Sequence, residues 1–239
     1  MSRMGEFLLS VCQERDEVLV LIEERIDIDH EIFFGYGSNA PPSEEFDACY
    51  PHAKGYALLL VGLNNAMEVA YANVNQRHRR LAYAMAYSHS VTLLEVFLAE
   101  SLISLVRRHS SFIDGLAKYY DGFVPKMTLS QALSLSNYAE GKIIELLRND
   151  VFHNPEKIKK IFSSMFNERE GELNISDILP IIEQRHDIVH RNGVNLSGES
   201  VIIELEILEV AVKEITQFAG ELKRRMTHGV NRELQKRLT

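Results

Sequence analysis

Residues 181–193 read IIEQRHDIVHRNG, and they decide what kind of fold the chain can adopt. On a helical wheel of about 100° per residue, Ile178, Ile181, Ile182, Ile188 and Val189 all fall within about 60° of Arg185. The arginine is the centre of an apolar stripe. His186 and His190 lie about 100° and about 140° round from it, together on one edge, while Glu183 and Asp187 face away. A charge at a core position costs several kcal/mol unless it is paired or sits at a polar cavity. The chain offers one partner of matching design. In SVTLLEVFLAESL, Glu95 is flanked at helical spacing by Val91, Leu98, Ala99 and Leu102, so it too is centred on an apolar face. One acid and one base, each in the stripe of its own helix, predict an interhelical pair. The pair reads equally as a structural salt bridge or as part of a site.

Working outward, helical signals dominate. Ser176 is placed as an N-cap for this helix, Pro180 falls in its first turn, and Gly193 lies just past its end. Asn154 followed by Pro155 opens a helix through NPEKIKKIFSSMF. No Gly or Pro interrupts residues 63–114, which predicts one long helix or two, ending near Arg107 and Arg108, where cations suit the dipole. Thr128 or Ser130 is a candidate cap for a helix through IIELLRND. VIIELEIL, at 201–208, alternates in the manner of a strand. Its helical continuation in EILEVAVKEITQFAGELKRRM makes it the start of the last helix. Residues 5–34 read as a helix, and FFGYGSNAPPSEEFDACYPHAKGY as a loop rich in turn formers. The fold class is all-α, most simply an up-and-down helical bundle with an N-terminal helical extension.

Composition sets the bounds. The 239 residues are 46% hydrophobic and 25% charged, enough for one large domain. The longest apolar run, YALLLVGL, is too short to cross a membrane, and the N-terminus lacks the pattern of a secretory signal. Cys12 and Cys49 form no metal or disulfide framework, so a cytoplasmic location with no membrane partner is the expectation. The net charge is −8, but residues 1–76 hold 4 Lys/Arg against 13 Asp/Glu, and the remainder carries a net of +1. The chain therefore divides into an acidic helical segment and loop at 1–76, a helical body at 77–228 and a tail at 229–239. Such a body is a poor general polyanion binder, although RHRR at 77–80, Lys157 with Lys159 and Lys160, and KRR at 223–225 could guide RNA locally or simply solubilise their helices.

His186 and His190 are four apart, the spacing that puts two imidazoles on one face for a metal. No third ligand stands nearby, and position 187 holds Asp where a zinc protease helix has Glu, so no metal and no cofactor is called for. RHDIVHRNG instead resembles the signature of the HEPN superfamily: an Arg, a polar follower, then a His after four to six intervening residues. Arg185, His186 and His190 fill those places with four residues intervening, and the flanks resemble a bacterial branch of the RiboL-PSP type. The resemblance covers roughly residues 77–226.

It implies a bundle of HEPN type and a metal-independent endoribonuclease. Two subunits would form a homodimer with their motifs facing each other. His190 would act as general acid or base, Arg185 would clamp phosphate, His186 would orient either group, and Glu95 would hold Arg185 in place. Asn192 and Arg191 would contact substrate. A toxin or antiviral defence role follows from the same resemblance, with RNA as substrate and an antitoxin or regulatory protein as a further partner. One subset of the superfamily has a modifiable Tyr two residues after the His. Here that place is Asn192, which removes that mode of control. Two other readings stay open: a non-catalytic HEPN-like module binding RNA, a nucleotide or a protein, and a helical metal site at His186 and His190.

Overall fold

A computed structural model of the protein describes residues 50–72, 75–120, 138–150, 152–167 and 173–238. It is all-α. Among the described residues there are seven helices and no strand: α1 (Pro51–Tyr71), α2 (Gln76–Arg108), α3 (Ser111–Tyr120), α4 (Tyr138–Asn149), α5 (Pro155–Phe166), α6 (Leu179–His190) and α7 (Leu205–Leu238). The helix expected at 5–34 and the caps at Thr128 and Ser130 lie outside the described residues.

α2 is the spine. Its 33 residues span about 50 Å. Asn75 caps it by accepting from the backbone N–H of Arg77, and Arg107 and Arg108 close it, as the charge pattern predicted. Leu94, Leu98, Leu102 and Leu105 are fully buried along it, each contributing roughly 1.5–3 kcal/mol of burial. α1, α3, α4, α6 and α7 all pack on this helix. An 18-residue window of α2 has a mean hydropathy of 1.5, so by length and composition it could cross a membrane, yet 56% of that window is buried by the other helices.

Three boundaries differ from those read in the sequence. Residues 51–56 were placed in a loop, but α1 starts at Pro51, whose missing N–H costs nothing at the first helical position. Leu59, Leu63, Ala66 and Ala70 then bury against α2, so the packed core begins well before residue 77. At the other end, 229–238 is no tail: α7 continues to Leu238, Val230 is buried, and Arg232 Nη2 donates to the carbonyl of Phe166 at 2.6 Å. Residues 201–204 are extended rather than the first turn of α7. The Val201 N–H donates to the Gly193 carbonyl at 2.8 Å, and Val194 pairs with Ser200 in an isolated antiparallel bridge. That pairing fixes the chain reversal ahead of α7.

Two helix starts show how capping works out. At α5 the Asn154 side chain accepts from the Lys157 N–H, with Pro155 in the first turn, as the sequence predicted. At α6 the N-cap is Ile178 and no side chain caps it; Ser176 turns its hydroxyl to Asn174 instead. α3 and α5 cross so closely that a Cβ on Gly115 would overlap the Ser164 carbonyl, which only glycine avoids.

Candidate functional site

α6 is docked on α2 by one buried tyrosine. Tyr87 is 1% exposed, and its hydroxyl donates to Gln184 Oε1 at 2.8 Å, with the Ile181 carbonyl at 3.3 Å on the same side. Burial pushes the phenol well above its ordinary range, so it stays a donor at any physiological pH. This bond ties α6 to α2 one residue before Arg185, beside the buried Ile178, Ile181 and Ile182.

The apolar stripe on α6 runs out as the helix proceeds. Ile178, Ile181 and Ile182 are buried, Ile188 is half-buried, and Val189 is 47% exposed. Arg185 therefore sits at the rim of the core rather than within it, its side chain 15% exposed. The wheel treats all five apolar neighbours alike, but α6 leaves the other helices after its second turn. Glu95 comes from α2 to meet Arg185, as its matching position predicted. The contact is loose, with Nη2 to Oε2 at 3.9 Å, too long for a hydrogen bond. Arg185 Nε and Glu95 Oε1 are buried and neither makes a hydrogen bond.

The sequence reading missed His153. It lies in the turn between α4 and α5, and its Nδ1 is 3.3 Å from Glu95 Oε1. The turn is held on both sides. Asp150, 2% exposed, pairs with Lys157 and accepts from the Tyr120 hydroxyl at 2.5 Å, while Phe152 is buried beneath. No periodic signal marks a turn residue, so only the structure could bring His153 to the site.

The two histidines of the motif lie outward from this pair. Their ring centroids are 4.7 Å apart, tilted by 43°, with His190 exposed and His186 partly so. Partial burial, then the charges of Arg191 and His190, hold His186 below its ordinary value; Asp187 opposes this and His153 adds to it. Neutral imidazole is thus favoured at position 186. Among the described residues no three His, Cys, Asp or Glu side chains are grouped to hold a metal.

The expected substrate contacts are partly committed elsewhere. Arg191 is ion-paired with Asp187 one turn back on α6. Asn192 has φ 53° and Gly193 φ 76°, so both serve the turn that ends α6. The N–H groups of Arg191 and Gly193 both donate to the Asp187 carbonyl, at 3.1 and 3.0 Å. The basic stretches are partly neutralised as well: Arg80 pairs with Glu204 at 3.0 Å, Lys157 with Asp150, and both Arg224 and Arg225 with Glu221.

No protein-family model matches the chain, and no curated protein or solved structure matches it significantly.

Proposed function

We propose that the protein is a metal-independent endoribonuclease of HEPN type, its helices forming an up-and-down bundle of that superfamily. The observation that carries the reading is an arginine held at the rim of the core with an unpartnered donor, on the same helix as two imidazoles, His190 exposed and His186 partly so. RNA cleavage needs those groups. A base takes the proton from the 2′-hydroxyl, whose oxygen attacks phosphorus. An acid gives a proton to the departing 5′-oxygen, and the products are a 2′,3′-cyclic phosphate and a 5′-hydroxyl. His190 serves in the proton transfers, Arg185 neutralises charge on the non-bridging oxygens, and His186 orients the phosphate.

Arg185 and His190 point about 140° apart on one helix, so a single copy does not aim both at one phosphate. A two-fold dimer does so by supplying the complementary group from the other subunit. Exposed Leu81, Met85 and Val96 on α2, together with Val189 on α6, support such a pairing face. A cytoplasmic toxin or defence role, with an antitoxin or regulatory protein as partner, belongs to the same proposal.

The partly neutralised basic stretches leave less charge to track an RNA backbone and favour a second reading, a non-catalytic module of the same fold that binds RNA, a nucleotide or a protein, of which the last two fit that charge better. The test is direct. Wild type and His190→Ala are incubated with total RNA in EDTA. Loss of cleavage by about 10²- to 10⁴-fold in the variant is expected. No cleavage by wild type sinks the ribonuclease reading and leaves the binding module.

A further inference from the structure

We infer that His153 is a positioning residue for Arg185: it draws the Glu95 carboxylate away and leaves the guanidinium open to an oxyanion, the phosphodiester of RNA. The inference rests on the phosphate-clamping role given to Arg185 above. A carboxylate alone with an arginine closes to about 2.8 Å and takes two donors at once. Here the two oxygens of Glu95 are divided, Oε1 toward His153 Nδ1 at 3.3 Å and Oε2 toward Arg185 Nη2 at 3.9 Å. Neither contact saturates its partner. The arginine keeps an unpartnered Nε that is itself buried, so an anion would reach the guanidinium through the exposed 15% of the side chain, which stays in place through its packing and the Tyr87 anchor on α6.

The imidazole is held in position rather than left to wander, because Asp150, Phe152, Lys157 and the Asn154 cap fix the turn that carries it. It remains 39% exposed. The charged and titratable groups about it are Glu95 from α2, Arg185 and His186 from α6, and the Asp150–Lys157 pair on its own segment. Glu95 is the acid placed between His153 and Arg185. Removing His153 leaves its carboxylate to Arg185 alone, and the pair tightens at the expense of an incoming anion.

The test follows inorganic sulfate, whose charge does not change near neutral pH, at the Arg185 Nε–H signal in nitrogen-15 NMR of the full chain. Sulfate should shift that signal in wild type. His153→Ala should weaken the sulfate affinity by about fivefold, the scale of one partly exposed charge contact. His153→Lys, which places a cation facing Glu95, should retain most of it. His153→Ala combined with Glu95→Gln should recover it, a rescue that a purely structural histidine would not give. Unchanged thermal unfolding of His153→Ala confirms that the fold is intact, and His153→Lys carries the comparison if it is not. An unmoved signal in wild type, or equal affinity in His153→Ala and wild type, overturns the inference. RNA cleavage that depends on His190 would survive that failure. Conversely, a sulfate response with the predicted pattern and no cleavage would keep the inference and lose the ribonuclease.

Discussion

Two groups of histidines in this protein have opposite fates. His52 and His109 are sealed between α1, the end of α2 and α7, at 0% and 3% exposure. His153, His186 and His190 stand at the open rim of α6. For His52 the tautomer is fixed by hydrogen bonding. The Thr227 hydroxyl donates to the Lys223 carbonyl at 3.0 Å, so His52 Nε2 must donate to Thr227 Oγ1, at 2.8 Å. That leaves His52 Nδ1 bare and without a partner. Burial above all, then the nearby charges of Lys223 and His109, pushes His52 from 6.5 down to about 3. The His52 side chain is a neutral structural strut, while those at the rim of α6 stand open to solvent. Location relative to the core decides which, and the residue type does not.

The widest break between the groups should come with acid. His52 binds a proton more weakly folded than unfolded, so its contribution is complete above about 6.5 and is lost as pH falls toward about 3. Each pH unit in that window removes up to about 1.4 kcal/mol. Urea midpoints measured across the window should fall for wild type and fall less steeply for His52→Gln. Equal slopes would mean that His52 is not the sealed group it is described as.

A smaller effect is expected where the rim is fastened to the core. Tyr87→Phe removes the bond to Gln184 and should cost about 1 kcal/mol in thermal or urea unfolding. It should also broaden or shift the Arg185 side-chain signal, because α6 loses that tie to α2 one residue away. A variant with wild-type stability and an unmoved Arg185 would show that apolar packing alone seats the helix.

The smallest effect belongs to Asn192. Its φ of 53° is a conformation that asparagine tolerates and glycine prefers. Asn192→Gly should hold or raise stability by about 0.5 kcal/mol and leave RNA affinity unchanged. A drop in RNA affinity with the fold intact would restore Asn192 as a substrate contact.

How much was legible in the sequence depends on periodicity. Arg185 and Glu95 could be paired because each is central to a stripe, and a wheel exposes such centres. The wheel could not say how far a stripe stays covered, so it placed Val189 inside when 47% of it is exposed. His153 was hidden because its contact comes from a turn, where side-chain direction depends on Asp150, Phe152 and Lys157 together. α1 was shortened for a related reason. Pro51 and Gly55 look like breakers, yet Pro51 opens the helix and a Cβ on Gly55 would sit 3.1 Å from Ser101 Oγ on α2. Residues 201–204 carry a pattern that fits either state, and the bond from Val201 to Gly193 decided it.

The contact between Glu95 and His153 joins parts of the chain with very different opening free energies. Glu95 rides on the stretch of α2 where Leu94 and Leu98 are fully buried, and its neighbours' amides should exchange with solvent only through global unfolding. His153 rides on a surface turn whose amides can open locally. The site is therefore assembled from one wall that opens only with the whole protein and one, pinned by the Asp150–Lys157 pair and by Phe152, whose opening costs less than global unfolding. Hydrogen exchange of the turn amides would time the moments when Arg185 is left alone with its glutamate.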